Sequence, residues 1–310
     1  MRVTQSMLSS NMLRNLSNSY SKMGKLQEQI TSGSRVNRPS DDPVAAIKGM
    51  GYRTTLGKVE QYTRNIGEVN SWLDNTDESF DGVGNALKRV QELVTSAAND
   101  ATITDDDREK MKAEIDQIRL QLRDLGNTKV GDKYIFSGTN TSKPLFTNSV
   151  PPVIGDIANI GTYPGLEKNV NIEISDGVQL TVNTTKGSKI FGDIDAMMDE
   201  LSNALEGFDV NGAPTVITGT DIGNFLSKIS TNQAAVLEER ADVGAKQNRI
   251  DMVENRLGVQ EVMVTKQLSE NESVEYEKAI TEMITQQSIH QAALSVGAKI
   301  IQATLVDFIR

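Results

Sequence analysis

A stretch from Val59 to Ala97 constrains the fold of this chain more than any other feature. Its apolar residues recur at alternating spacings of three and four, which places them on one stripe of a helix and lets that stripe wrap around a partner helix. At about 1.5 Å per residue, such a helix would be roughly 58 Å long. We therefore predict a rod that needs an equally long partner from the same chain. The stripe consists of Val59, Tyr62, Ile66, Val69, Leu73, Thr76, Phe80, Val83, Leu87, Val90, Val94 and Ala97.

Two further helices are predicted to pack beside this rod. Helix returns near Asp221, where apolar residues repeat at intervals of seven with polar residues between them, as in a helix that shares a bundle and keeps one side in water. A third helix, capped by Thr104 and ended by Gly126 and Asn127, is expected to pair with the rod in antiparallel orientation. The repeat of seven is Ile229, Val236, Val243, Ile250, Leu257 and Val264, and the stripe of the third helix is Met111, Ile115, Ile118, Leu122 and Leu125.

Both ends of the chain carry apolar stripes of their own. The N-terminal stripe buries too little to offset the entropy of ordering its residues, so we expect it to stay disordered until a neighbour covers it. The C-terminal tail carries two stripes and needs two neighbours, one of them the N-terminal stripe and the other the tail of another copy. The N-terminal stripe is Leu13, Leu16, Tyr20, Met23, Gln27 and Ile30. The tail stripes are Ile280, Ile284, Gln287, Gln291, Leu294, Ala298, Ile301, Leu305 and Phe308, and Ile289, Ala293, Val296, Ile300 and Ala303.

Local signals mark where helices end and where they bend. Gly33 and two prolines end the first helix, and Asp42 before Pro43 reads as an N-cap with proline at the first helical position. A catalytic pair of carboxylates, Asp41 and Asp42, is the weaker interpretation. Four glycines interrupt the rod, and we interpret them as sites of close helix approach or bending. They are Gly57, Gly67, Gly82 and Gly84.

The middle of the chain changes to short apolar runs broken by Gly, Pro, Thr and Asn. Two alternating runs, 170–174 and 178–182, predict a hairpin whose apolar sides share one face. That requirement selects a three-residue loop, Ser175 to Gly177, with Gly177 in the left-handed conformation. A short helix is predicted around 193–205. This region is a small α+β insert.

The predicted fold class is mainly α, with a long antiparallel helical rod or coiled coil formed by both chain termini and a small α+β insert at its far end. We divide the chain into terminal arms (1–42 and 270–310) that stay disordered until assembly, a rod (43–140 and 220–269) and a variable insert (141–219).

Composition and charge exclude several classes of function. The formal net charge of −10 argues against nucleic acid or an anionic membrane as partner. The chain contains no Cys, and neither a cleavable signal peptide nor a membrane-spanning run is predicted, which taken alone indicates the cytoplasm. We expect no catalysis, because the single histidine, His290, and the acidic runs at 105–107 and 238–239 lack a nucleophile pattern. The three carboxylates at 105–107 resemble a cation site, but they complement the positive end of the third helix, so we expect no metal there and no cofactor. A membrane-acting tail helix is disfavoured because its polar positions lack a Lys/Arg excess.

Several motifs resemble the bacterial flagellin family. The stretch from Ser32 to Pro43 is similar to the motif SGxR[IV]NxxxDDP of that family, and the segment KVGDKYIFSGT (129–139) to the strand that closes its helical domain. The segment 240–249 resembles the returning helix of the family. The start MRVTQSM is more similar to members at the hook–filament junction than to filament flagellins, and the IFSG end of segment 129–139 favours the same members. The segments 286–294 and 302–308 resemble the C-terminus of those members. The segment 87–93, however, is close to a flagellin signature, so filament flagellin itself remains the alternative.

The resemblance implies a structural protein of the flagellum, secreted through the flagellar export apparatus without a cleaved signal peptide. It implies a ring of copies between a neighbouring hook-associated protein and the first flagellin subunits, with an export chaperone before secretion. The subunit interface would use residues of both terminal helices. These are Leu13, Leu16, Tyr20, Met23, Ile30, Ile280, Ile284, Leu294, Ile301, Leu305 and Phe308.

Overall fold

The computed structural model describes residues 5–99, 104–146, 165–207 and 218–306. Within these ranges the chain forms six helices and two small antiparallel sheets, so the mainly α prediction is confirmed. The helices are α1 (Gln5–Ser32), α2 (Pro43–Ala97), α3 (Asp105–Gly126), α4 (Gly187–Glu206), α5 (Gly219–Glu272) and α6 (Tyr276–Val306). The strands are β1 (Lys129–Val130), β2 (Lys133–Tyr134), β3 (Asn171–Ser175) and β4 (Val178–Thr181).

The contacts divide the chain into two compact units. Unit 1 comprises Met1–Val59 and Val259–Arg310, and unit 2 comprises Glu60–Gly258. Helices α2 and α5 each contribute residues to both units. The division into arms, rod and insert that the sequence predicts has different boundaries from these two units, and it stays a prediction.

The long stripe of α2 is buried as predicted. Every member is buried except Tyr62, which is half-buried. All six apolar members of the repeat of seven on α5 are buried as well. A regular stripe of bulky aliphatic side chains removes enough apolar surface from water to set which side of each helix faces inward.

Polar contacts show that α2 runs antiparallel to both of its neighbours in unit 2. Gln247 donates to Asp74 at 2.9 Å, whereas Gln233, earlier on α5, donates to Gln91, later on α2, at 3.1 Å. On α3, Glu114 accepts from Arg89 at 2.7 Å, whereas Leu125, later on α3, lies beside Gly82, earlier on α2. The antiparallel pairing of the rod with the third helix is therefore confirmed.

Only one of the four glycines in the rod lies at a close approach. A Cβ at Gly82 would come within 3.1 Å of Leu125 on α3, whereas no neighbouring atom lies within 4 Å of the Cβ positions of Gly57, Gly67 and Gly84. Those three glycines lie on open parts of α2, so interpreting them as sites of close helix approach was wrong.

The hairpin β3–β4 forms as predicted, but the predicted three-residue loop, Ser175 to Gly177, was wrong, because Ser175 pairs with Val178 and only two residues form the turn. Ile172 lies opposite Leu180, and Gly177 is left-handed with φ of +71°. The strands add an irregularity between Glu173 and Ser175 that leaves Ser175 opposite Val178. An extra residue of this kind keeps the apolar sides on one face although the final turn has only two residues.

Two elements beside the hairpin differ from the sequence interpretation. Helix α4 begins at Gly187, six residues before the predicted start at Asp193. Residues 129–139 form two short paired strands joined through Gly131, which has φ of +60°, rather than one closing strand.

Phe191 on α4 packs against Phe80 and Phe136, with ring centroids 6.0 and 4.7 Å away. The α4 helix therefore covers part of the core of unit 2.

Candidate assembly interface

The terminal helices α1 and α6 pack against each other in antiparallel orientation within unit 1. Ser19 donates to Gln286 at 3.5 Å, and the ring of Tyr20 lies 6.1 Å from that of His290. A Cβ at Gly297 would overlap the end of Met12. The packed sides are buried or half-buried and follow the spacing of three and four on both helices. They consist of Met12, Leu16, Ser19, Met23, Leu26 and Ile30 on α1, and of Ala279, Met283, Gln286, His290, Ala293 and Gly297 on α6.

The predicted interface residues divide between the packed and the exposed sides. Leu16, Met23 and Ile30 are half-buried on the packed side of α1, whereas Leu13 and Tyr20 are 63% and 67% exposed. On α6, exposure is 45% for Ile280, 59% for Ile284 and 49% for Leu294. Ile301 and Leu305 belong to α6, and Phe308 lies outside the described residues.

Sequence reasoning selected the wrong side of α6 for its contact with α1. The two predicted tail stripes contribute only Ala293 to the packed side. Three of the six packed positions on α6 are Ala or Gly, and they were missed because a search for bulky aliphatic residues passes over Gly and Ala. Ala293 lies about four helical turns after Ala279 and Gly297 one turn further, all on one side of α6, and this was the available signal.

Exposed apolar side chains are concentrated in unit 1. Among the described residues, seventeen large apolar side chains are at least 45% exposed, and only Leu237 and Met252 belong to unit 2. Exposed apolar side chains that cluster in one part of a protein usually mark a protein–protein contact. The terminal helices, with the adjoining parts of α2 and α5, therefore form the candidate interface.

A small clasp ties the break between α1 and α2 to the break between α5 and α6. Arg35 N donates to Glu272 O at 2.7 Å, and Val274 N donates to Gly33 O at 3.0 Å. Gly33 adopts φ of +69°, a left-handed conformation that favours glycine. The clasp therefore holds the end of α1 next to the end of α5, at the point where both segments leave helical geometry.

The acidic pair in the first break serves as a cap, as predicted. Asp42 accepts from Ala45 N at 3.0 Å, and this hydrogen bond, followed by the nearby Arg35 cation, lowers the pKa of Asp42. Asp41 lies 3.1 Å from Lys25, whose hydrogen bond is the main cause that lowers the pKa of Asp41. Both carboxylates therefore have structural partners.

Glu272 is the centre of the contact between α2 and α5 in unit 1. Its Oε2 lies 2.5 Å from Arg53 Nη2, and the neighbouring Asn271 donates to Ala45 O at 2.8 Å. A Cβ at Gly49 would overlap Glu272 Oε1, so α2 has glycine where the carboxylate lies. Sequence reasoning missed this contact, because Gly49 shows no pattern until its partner is known.

Unit 2 contains a buried ionic cluster between α3 and α4. Asp195 accepts from Arg119 at 2.9 Å and from Arg123 at 2.7 Å, and Asp199 also accepts from Arg119. Burial opposes the charged form of Asp195, but the hydrogen bonds from Arg123 and Arg119 outweigh it and lower the pKa of that carboxyl. The cluster fixes α4 to α3.

The described residues offer no second kind of site. In those parts of the chain, no three His, Cys, Asp or Glu side chains are grouped to hold a metal ion. His290 belongs to the α1–α6 contact, and the acidic start of α3 forms a capping box between Thr104 and Asp107. None of the described helices is long and apolar enough to cross a membrane.

Long paired helices with exposed apolar terminal segments are typical of helical structural proteins. The bacterial flagellin N-terminal helical region matches residues 3–141, and the bacterial flagellin C-terminal helical region matches residues 226–309. The chain belongs to the bacterial flagellin family. It is a structural component of the bacterial flagellum, which confirms the prediction of a non-enzymatic protein.

Similar proteins include members from different parts of the flagellum. Flagellar hook-associated protein 3 of Escherichia coli is 27% identical over 303 residues, which cover 94% of this chain and 95% of that protein. Flagellin of Bacillus subtilis is 26% identical over 306 residues, covering 96% of both chains. The crystal structure of Bacillus cereus FlgL superimposes with a TM-score of 0.56 at 23% identity, covering 71% of this chain and 99% of that one. This last likeness concerns the fold.

Proposed function

We propose that this protein forms the junction between the flagellar hook and the filament. In this proposal a ring of copies lies between a neighbouring hook-associated protein and the first flagellin subunits. The full-length similarity to flagellar hook-associated protein 3 and the junction-like start MRVTQSM support it. The observation that carries it is the concentration of exposed apolar side chains in unit 1, because other helices must cover them.

The contact between copies would be made by coiled-coil packing of α1 and α6. Each of these helices packs one side against the other helix and leaves a second apolar side exposed. The exposed side contains Leu13 and Tyr20 on α1 and Ile280 and Ile284 on α6. A helix with apolar residues on two sides needs more than one neighbour. Neighbouring copies, the hook-associated protein and flagellin supply those neighbours.

Before assembly the terminal helices would be open. The packed side of α1 is narrow and includes polar Ser19, so α1 and α6 offset little of their ordering entropy without further neighbours. Open termini suit secretion through the flagellar export apparatus, without a cleaved signal peptide and with a chaperone bound beforehand. Amide exchange of the purified monomer tests this, because exchange should be fast along α1 and α6 and slow along the part of α2 in unit 2.

A deletion strain tests the junction itself. Cells without this protein should keep their hooks, lose their filaments and release flagellin into the medium. Expression of the wild-type chain should restore filaments. Deletion cells that still form a hook–filament junction but lack filament flagellin would contradict the proposal.

That last outcome would support the second candidate, filament flagellin itself. The similarity to Bacillus subtilis flagellin over 96% of both chains favours it. The amount of this protein per flagellum separates the two candidates. A junction ring needs few copies, whereas a filament consists of many.

A further inference from the structure

The parts of α2 and α5 that belong to unit 1 carry two exposed apolar patches outside the terminal helices. The α2 patch consists of Val44, Ile47 and Met50, which are 57–65% exposed. The α5 patch consists of Val259, Val262 and Met263, which are 54–71% exposed. Neither patch belongs to the predicted interface.

The two patches face in opposite directions. Ala45 and Gly49 form the inner side of α2, where Asn271 and Glu272 of α5 meet it. Ile47 follows Ala45 by two positions, which places it about 200° further around the helix. On α5, Val264 lies on the same side as Asn271, which follows it by two helical turns. Val262 lies two positions before Val264 and therefore about 200° around the helix from that side. The two helices therefore meet along their inner sides and present their patches outward on opposite sides of the pair.

The charges around the two patches are complementary. Lys48 lies within the α2 patch, and the α2 segment 43–59 contains no acidic residue. Glu261 lies within the α5 patch, whereas Glu272 is paired with Arg53 and Glu270 with Lys266 inside the same chain. A contact of one α2 patch with another would bring cations together, whereas a contact of an α2 patch with an α5 patch brings opposite charges together.

We propose that the α2 patch of one copy docks on the α5 patch of the next copy. Such a heterologous contact uses a different surface on each side of every copy, so it continues from copy to copy and closes as a ring where the rotation permits. It buries both patches, whereas a two-fold contact would bury only one of them. This proposal rests on the proposed assembly of copies at the junction and identifies the surfaces through which they meet.

Cysteine cross-linking in the flagellum tests the contact, because the wild-type chain contains no cysteine. The deletion strain is complemented with Ile47→Cys, with Val262→Cys or with the double variant, and swimming of the cells reports the junction function separately. Isolated flagella are treated with a short bis-maleimide and analysed by denaturing gel and immunoblot. The double variant should give a ladder of dimers, trimers and larger species, and each single variant should stay monomeric.

Co-expression of the two single variants provides the matched control. A heterologous contact joins one Ile47→Cys chain to one Val262→Cys chain, so this sample should give dimers and no trimers. Dimers from a single variant alone would overturn the proposal in favour of a two-fold contact. Swimming cells whose double variant gives no ladder would overturn the proposal and leave the junction function standing. If the double variant of Ile47 and Val262 does not accumulate in cells, a second pair, Val44→Cys with Met263→Cys, replaces it. The same cross-linking outcomes then support or overturn the proposal.

Discussion

Arg119 and Asp195 meet in the buried contact between α3 and α4, where Nε of the arginine lies 2.9 Å from Oδ1 of the aspartate. The two side chains are 4% and 3% exposed. A buried ion pair adds little when both partners are present, but removing one partner leaves an uncompensated charge. The pair therefore makes the attachment of α4 sensitive to any loss of either charge.

Replacing Asp195 with Asn should destabilise unit 2 by about 3–5 kcal/mol at neutral pH, because two buried arginines lose a carboxylate partner. The pH dependence follows from the sign of the shift. Because the folded-state pKa of Asp195 lies below its ordinary value of 3.8, the stabilisation is present above that value and is lost as the pH falls through the lower folded-state pKa. Urea unfolding from pH 7 to pH 2.5 should show the difference between wild type and variant shrinking. A constant difference would contradict this assignment.

Glu239 should behave in the opposite way. It is 5% exposed on α5, and burial raises the pKa of its carboxyl although Lys186, 3.8 Å away, partly compensates. A raised folded-state pKa means that its contribution to stability is complete below the ordinary value of 4.5 and is lost as the pH rises through the folded-state value. Glu239→Gln should therefore stabilise unit 2 at pH 7, because the neutral amide avoids the cost of burying a charge. The gain should vanish near pH 4, and Glu254→Gln, at an exposed position of α5 in unit 2, serves as control.

The cover that α4 provides can be tested at Phe191. Its ring is fully buried against Phe80 and Phe136, so Phe191→Ala should cost about 3–5 kcal/mol in the free energy of unfolding. Leu237→Ala removes an apolar side chain that is 64% exposed, and it should change stability by less than about 0.5 kcal/mol. Equal effects of the two variants in chemical denaturation would show that α4 does not close this core.

The elements that the sequence predicts well are those whose side chains repeat a strong apolar signal. Val69 and Leu73 on α2 and Val243 and Ile250 on α5 are buried because their bulky stripes admit only one inward side. The α1–α6 contact was assigned to the wrong side of α6 because Gly297 bears no side chain and instead admits Met12.

Two further features of unit 2 gave no readable signal. Helix α4 starts at Gly187, a residue typical of loops. A Cβ added at this position would lie only 2.6 Å from Thr184 Oγ1. Arg119 and Arg123 look like surface charges in the sequence, although they are one helical turn apart beside Ile118 and Leu122. Only the position of Asp195, more than seventy residues away, shows that they are buried.

Gly49 and Gly51 form a matched pair for testing the α2–α5 contact in unit 1. A methyl group at position 49 would displace the Glu272 carboxylate from Arg53, whereas position 51 has no neighbour within 4 Å. Gly51→Ala should raise helix stability by up to about 1 kcal/mol. Gly49→Ala should forfeit that gain and lower the melting temperature relative to Gly51→Ala. Equal melting temperatures would show that Glu272 adapts without cost.

The exposed side of α6 provides the most direct test of assembly. Ile284 is 59% exposed, so Ile284→Asp should barely change the thermal unfolding of the purified chain. In the flagellum a neighbouring helix must pack there, and burying an unpaired carboxylate costs several kcal/mol in every copy of the ring. Cells that carry this variant should make and secrete the protein, yet form few stable filaments. Leu237→Asp introduces the same charge at an equally exposed apolar position of unit 2 and should leave filaments normal. Normal filaments with Ile284→Asp, and the variant located at the junction by immunolabelling, would remove this side of α6 from the interface.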